Sequence, residues 1–438
     1  MSQQKQGGNI VAIIMMIFLF GMISFVTNLA SPMGDILKHQ FTVANWVGTL
    51  GVFANFIAYA IMGVPSGLML DKLGYKKTAL AAIAIGFTGV GIQTLSGTIN
   101  SDSAMVVYLL GAFVAGFSMC MLNAVVNPML NSLGGGGNRG NQLIQVGGSF
   151  NSLCGTTVII MTGILIPKIT EAQIGDVFPL MFSALAIFAL AFAVIALAKI
   201  PEKERVAVVN TSEKAQYSPL SFRHFILGAV AIFVYVGVEV GIPNVLNKWL
   251  QNDADVMKMF VDGTPEAIAG SVAATYWFLM LVGRLTGAAI AKKVSAKSML
   301  LGASAAGLLF VILAMVLSKD IPFNLPVFKN EPGAIFGLTK VPINAALLVL
   351  CGLCTSVMWG GIFNLAVEGL GKYTEKASGF FMVMVCGGGI LPLLQNGIVD
   401  MTGGTGYLAS YWVVVAGLAY MLYYALVGSK NVNKDIPV

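Results

Sequence analysis

The chain has 438 residues, 57% of them hydrophobic and only 10% charged, with a mean hydropathy of +0.84 and a formal net charge of +6. Soluble domains carry about a quarter charged residues, so this composition excludes a soluble globular protein and indicates a membrane. The positive balance is no nucleic-acid footprint, because Lys and Arg stand in short clusters between apolar runs and not along one soluble face.

Stretches near the ~20 residues that cross ~30 Å of hydrocarbon occur twelve times. They fall at roughly 9–31, 43–66, 79–99, 105–127, 143–166, 177–198, 224–248, 267–290, 299–317, 343–367, 378–399 and 407–428. The first follows a single Lys and is long enough to span, which reads as a retained helix and not a cleaved signal peptide. Six spans precede and six follow the polar segment Lys199 to Arg223. The predicted organisation is therefore an all-α membrane protein of twelve transmembrane helices: an N-terminal bundle (1–198), a cytoplasmic linker (199–223) and a C-terminal bundle (224–438).

With both termini inside, 17 Lys and Arg fall on the cytoplasmic side and 7 on the other, with Arg284 left within a helix. The positive-inside rule thus predicts N-in, C-in. The halves also echo one another: GLMLDKLGYKKTAL (Gly67 to Leu80) and GAAIAKKVSAKSML (Gly287 to Leu300) each follow the second helix of their half and share Lys at two matched positions. Repeated halves joined by a polar linker suit a transporter that rocks around a central site.

Several motifs carry no chemistry. Cys120, Cys154, Cys351, Cys354 and Cys386 all lie within apolar segments, and the lone CxxC of Cys351 and Cys354 has no second pair or His cluster to complete a metal site. The run Gly134 to Gly137 lacks the following Lys-Ser/Thr of a phosphate loop and reads as a cytoplasmic turn. His39 and His224 stand alone at helix ends. No metal or cofactor is expected, and a membrane enzyme would need an acid, base or metal cluster that these residues do not supply.

The loop GLMLDKLGYKK joins a helix-breaking Gly, the acidic Asp71 and a basic cluster at a cytoplasmic helix end. Asp71 can bridge to a neighbouring helix in one conformer and release it in another, a bistable latch. These residues resemble the G-x-L-a-D-r-x-G-r-k signature of the major facilitator superfamily. The segments LNAVVNPMLNSLG, SFNSLCG, YVGVEVGI, VGRLTG and IFNLAVEGLGKYTEKASGF through MVCGGGILP are similar to its fucose:proton symporter and glucose/galactose transporter branch. The resemblance implies a multi-pass, monomeric protein of the bacterial inner membrane that moves a monosaccharide with a coupling cation, with helices 1, 4, 7 and 10 lining a cavity. Its partners would be the sugar and membrane lipids. In the fucose symporters, acidic residues on helices 1 and 4 take part in proton coupling; the matching positions here are Ser31 and Asn123, which puts coupling by that pair in doubt.

The residues supply a substitute. Glu239 is the one carboxylate near the middle of a long apolar segment, and such a group usually faces a cavity, a partner charge or an ion path. With the seventh span lining the cavity, Glu239 can take up H⁺ or ligate Na⁺; the plainer alternative is that it only neutralises Arg284 on the eighth. Sugar sites combine amides with aromatic faces. The pairs Asn55 with Tyr59, Asn123 with Asn127, and Tyr235 with Glu239 each lie one helical turn apart on one face. Asn28, Ser31, Gln145, Asn151, Asn244, Tyr276, Trp277, Trp359, Asn364 and Gln395 complete the substrate-binding candidates. Asp71 and Arg284 are the gating candidates. Cation-coupled uptake of a hexose, deoxyhexose or aminohexose is the expected function. The alternatives are uptake of an acidic sugar such as sialic acid, whose carboxylate Arg284 would meet, and export of amphipathic compounds on the same fold.

Overall fold

In a computed structural model, residues 2–41, 50–99, 101–166, 171–198, 200, 217–260, 263–331, 334–433 and 435–437 are described. Apolar runs of this length fold as helices because hydrocarbon offers no partner to a free N–H or C=O. In chain order the helices are α1 Ser2–Gln40, α2 Leu50–Leu73, α3 Tyr75–Ser96, α4 Ser103–Leu133, α5 Gly137–Leu165 and α6 Phe178–Leu197. Then come α7 Arg223–Asn252, α8 Pro265–Ile290 and α9 Ala296–Val316. The tenth span is divided into α10 Ile343–Thr355 and α11 Met358–Val367, the eleventh into α12 Thr374–Met384 and α13 Gly387–Met401, and α14 Trp412–Tyr423 runs into a π turn.

Each predicted span falls on one of these helices, except that the first residues of the second, and most of the linker, lie outside the described residues. Among the described residues, eleven helical segments are long and apolar enough to cross a membrane. The remaining predicted span is α5, 29 residues long, part of which lies outside the residues whose side chains are described. A feature not predicted is an antiparallel hairpin between α9 and α10, β1 Pro322–Glu331 and β2 Ala334–Pro342, in the register Pro322↔Pro342 and Phe328↔Phe336.

The described residues form two compact units: Met1–Ile226 with Val367–Val385 and Asn431–Val438, and Leu227–Ala366 with Cys386–Lys430. In the first, α12 packs on α2 through small residues. A Cβ on Gly379 would stand 2.6 Å from the Cα of Gly67, and one on Gly67 would stand 2.8 Å from the Cα of Gly379. Two backbones can approach this closely only where side chains are absent, the arrangement of small-xxx-small packing in membranes; on α2 the spacing is Gly63 to Gly67. The Ser378 hydroxyl donates to the Ala124 carbonyl of α4 at 2.9 Å and fixes the same seam.

In the second unit, Asp253 caps the turn that follows α7 and accepts from Lys319 Nζ and Trp249 Nε1. Partial burial pushes its carboxyl up, but the hydrogen bonds from Lys319, Trp249 and the Val256 N–H outweigh it and hold the group below the usual carboxylate range.

Gly379→Val should destabilise the protein by about 1–3 kcal/mol, the usual result of overpacking a tight contact. A thermal-unfolding midpoint in detergent unchanged from wild type would show that the α2–α12 seam yields without cost.

Candidate functional site

Glu239 sits on α7 with nine-tenths of its surface buried. Tyr235, one turn earlier, donates its hydroxyl to Glu239 Oε1 at 2.8 Å. Arg284 of α8 donates from Nη2 to the same oxygen at 3.3 Å, so the carboxylate is shared between a neutral and a charged donor. The backbone carbonyl of Glu239 accepts from the Tyr276 hydroxyl at 3.2 Å, and that hydroxyl also meets Thr355 Oγ1 at 2.9 Å. Trp359, at the start of α11, places its ring 6.3 Å from that of Tyr235. Two helices thus meet at the carboxylate, and the break that divides the tenth span sets Thr355 and Trp359, near consecutive helix ends, against the two tyrosines that serve Glu239.

The convergence depends on how closely α8 and α10 approach. A Cβ on Gly352 would collide with the Tyr276 carbonyl. Tyr235 and Tyr276 are fully enclosed, and both use their hydroxyls on Glu239, as buried tyrosines require. Arg284 keeps 14% of its side chain exposed and Glu239 12%, so the pair is not wholly enclosed by protein.

The other candidates of this unit divide. Asn364 is buried on α11. Gln395 is fully buried on α13, and neither its amide nitrogen nor its amide oxygen finds a partner among the described residues. Its oxygen occupies the space a Cβ on Gly241 would need, which places it against α7 two residues beyond Glu239. Asn244, by contrast, is exposed and accepts from Asn396, whose own oxygen takes a bond from Lys248. Trp277 is 37% exposed, edge-on to Tyr276. Neither is brought to Glu239.

In the first unit the predicted amides gather on facing helices. Asn123 of α4 donates to the Tyr59 hydroxyl of α2 at 2.7 Å, and Asn55, one turn before Tyr59, places Oδ1 against Gly116 of α4. Asn127 is fully buried and donates to the Asn123 carbonyl. Asn151 of α5 donates to the Phe20 carbonyl of α1 at 2.8 Å. Asn28 of α1 donates to Ser24 beside Gly155 of α5, and Gln145 is buried on α5. Ser31 lies in α1, outside the residues whose side chains are described. The gating candidate Asp71, at the end of α2, pairs with Lys376 of α12 at 3.3 Å, and beside it Tyr75 donates to Glu375 at 3.2 Å.

Thr355, Glu375 and Lys376 were not singled out by sequence reasoning. Lys376 carried a visible signal, a cation near the start of a half-helix on the same side as Asp71; Thr355 carried none, since a mid-span Thr ordinarily bonds its own helix. Among the described residues no group of three or more His, Cys, Asp and Glu is placed to hold a metal ion.

Comparison with known proteins supplies the frame for this geometry. Over 98% of the chain and 96% of the relative, it is 27% identical to the glucose/galactose transporter of Brucella abortus. It is 22% identical to the L-fucose-proton symporter of Escherichia coli, over 86% and 85% of the two chains. Among solved structures, the transporter FucP in its outward conformation superposes with a TM-score of 0.77 at 18% identity, covering 97% of this chain and all of that one. The proton:xylose symporter XylE, bound to 6-bromo-6-deoxy-D-glucose, gives a TM-score of 0.73 at 12% identity, covering 97% of both chains. The sequence profile of the Major Facilitator Superfamily matches residues 11–392, and the chain belongs to that superfamily of membrane transporters.

Proposed function

We propose that the protein carries a neutral monosaccharide across the bacterial inner membrane together with a proton, by alternating access of its two six-helix halves, 1–198 and 224–438, about the linker 199–223. The observation that carries the coupling is the mid-span carboxylate Glu239, held by one neutral and one cationic donor. When Glu239 is ionised, Arg284 neutralises it; when it takes a proton, the ion pair dissolves and Arg284 is released to another partner. A single protonation thereby changes what α7 and α8 can grip, and a conformational step can follow it.

Na⁺ suits the site less well. A cation on Glu239 would face the Arg284 guanidinium, 3.3 Å from the same oxygen, and like charges at that distance repel strongly in a low dielectric. An acidic sugar is disfavoured for a related reason, since its carboxylate would have to displace Glu239 from Arg284. The names of the relatives, glucose/galactose transporter and L-fucose-proton symporter, favour a sugar over an amphipathic drug, and the fucose relative favours H⁺. For the sugar itself we assign the amides Asn28, Asn55, Asn123, Asn127, Gln145 and Asn151 with Tyr59 in the first unit, and Trp359, Asn364 and Gln395 in the second. Gln395 stands out: its buried amide, unpaired among the described residues, offers both the donor and the acceptor that a hydroxyl needs.

Purified protein in liposomes should accumulate one of a panel of hexoses and deoxyhexoses under an inward proton gradient. No counterflow with any panel member would overturn the assignment. Glu239→Gln, which keeps the shape and discards the charge, should bring accumulation down to equilibration while counterflow stays within about tenfold of wild type. Concentrative uptake by that variant equal to wild type would remove Glu239 from the coupling. Asp71→Asn should slow transport several-fold with substrate affinity held, because the Asp71–Lys376 pair stands at the helix ends and away from the amides. A large drop in equilibrium sugar binding would argue against a latch.

A further inference from the structure

The hairpin of the second unit goes where a connecting loop does not ordinarily go. With the orientation set by the Lys and Arg distribution, its base stands at the outer helix ends. Lys319 ties the approach to β1 onto Asp253 and Asp255, just past α7, at 3.1 and 3.2 Å, and β2 ends at Pro342, where α10 begins. Six residues into β1, however, the ring of Phe328 lies 4.9 Å from that of Phe278, and its cross-strand partner Phe336 lies 5.5 Å from the same ring.

Phe278 is no end residue of α8: it is thirteen positions from Pro265 and twelve from Ile290. Its depth can be read from a second helix. The Tyr276 carbonyl is wedged against Gly352, nine positions inside α10 and so about 14 Å from that helix's outer end at 1.5 Å per residue. Phe278 stands a further half-turn inward. Six strand residues span about 20 Å, enough to cover that descent and little more. The hairpin therefore runs inward along α8, and its aromatic contact lies near the level of Tyr276, which binds the Glu239 carbonyl.

A hairpin at that depth has only two kinds of neighbour it can tolerate. Its two outer edges carry unpaired N–H and C=O groups, which hydrocarbon cannot satisfy, so such backbone occurs at membrane depth only when buried in protein or facing water. One face, Leu325, Val327 and Val341, is buried beneath the strands. The other carries Phe328 and Phe336, which meet Phe278, and beside them Asn324, Pro326, Leu338 and Lys340, all four exposed. Beyond the Phe278 contact that face stays exposed among the described residues, at Phe336 and Leu338, so the unpaired strand edges there are not buried in protein, which leaves water.

We propose that the hairpin is a re-entrant gate. It folds into the outer half of the span along α8, held by the Phe278–Phe328–Phe336 clasp, and lines a water-filled approach to the level of Glu239, with Phe336 offering its ring to the apolar face of a passing sugar. The gating role rests on the sugar-transport reading; the inward path does not.

The test joins a distance to a kinetic constant. Nitroxides on Leu338→Cys and Lys293→Cys in the full-length protein, with unsubstituted protein as the labelling control, should lie about 25 Å apart if the hairpin descends along α8 and about 50 Å apart if it projects outward. At Leu338 the label should be accessible to a water-soluble nickel chelate and not to membrane-dissolved oxygen. The long distance, or accessibility to oxygen alone, overturns the proposal. Phe336→Ala should raise the KM for uptake from the outside several-fold with kcat preserved, and an unchanged KM ends the gating role. If wild-type protein moves no sugar, the transport reading fails while the distance still judges the hairpin.

Discussion

A carboxylate and a guanidinium 3.3 Å apart, each on a different membrane-spanning helix, set the terms for the second unit. Bringing either charge alone into a low-dielectric interior is costly, and removing one partner of a buried pair typically costs about 3–5 kcal/mol. That obligation holds α7 and α8 in register, and the surrounding bonds follow from it. Tyr235 reaches the same carboxylate oxygen, Tyr276 binds the Glu239 backbone, and Thr355 completes the Tyr276 hydroxyl. An arrangement made only for stability would be better served by apolar side chains, which often match or exceed a buried ion pair. Retaining a group that can lose its charge makes sense where the loss is used.

Sites of this kind require helices close enough for short hydrogen bonds, and the close approaches occur at glycine. Gly352 admits the Tyr276 turn, and Gly241 admits Gln395. In membranes, where apolar contacts gain little over lipid, such small residues supply the association through packing. They also leave the seam with few interlocking side chains. On α2 and α12 the same device is joined to charge: the Gly67–Gly379 contact lies about one turn from the Asp71–Lys376 pair, so that packing holds the helices while the ion pair, one-third exposed, remains easily exchanged with water.

How much of this was legible beforehand follows from what a hydropathy pattern can carry. The spans were, because a helix in lipid needs a long apolar run and nothing else satisfies its backbone. Glu239 and Arg284 were, because charge in such a run stands out against it. The amide pairs on α2 and α4 were legible as one face at i and i+4, and Asn123 indeed reaches Tyr59. Asn244 was not distinguishable from them. It shares their composition, and only its rotation about α7 turns it away from Glu239 toward Asn396. The hairpin was invisible for a different reason. Its alternation of Phe323, Leu325 and Val327 with Asn324 and Pro326 is short, and in a chain read for runs of twenty apolar residues it passes for a polar loop.

The polar groups of the two units differ in a way that bears on mechanism. Away from the Asp71–Lys376 pair at the helix ends, those of the first are neutral amides whose N–H groups are turned largely on backbone carbonyls, as in Asn28 to Ser24, Asn123 to Met119 and Asn127 to Asn123. A hydrogen bond of that kind keeps the amide in place at modest cost and is indifferent to pH. Those of the second centre on a carboxylate that accepts from Arg284. Recognition of a neutral hydroxyl needs fixed donors and acceptors and gains nothing from a titrating group, whereas coupling to a proton requires one. On the proposed reading, most of the groups that would read the solute stand on α1, α2, α4 and α5, and those that would sense the ion on α7 and α8, with Trp359 and Gln395 the solute candidates set nearest to the latter.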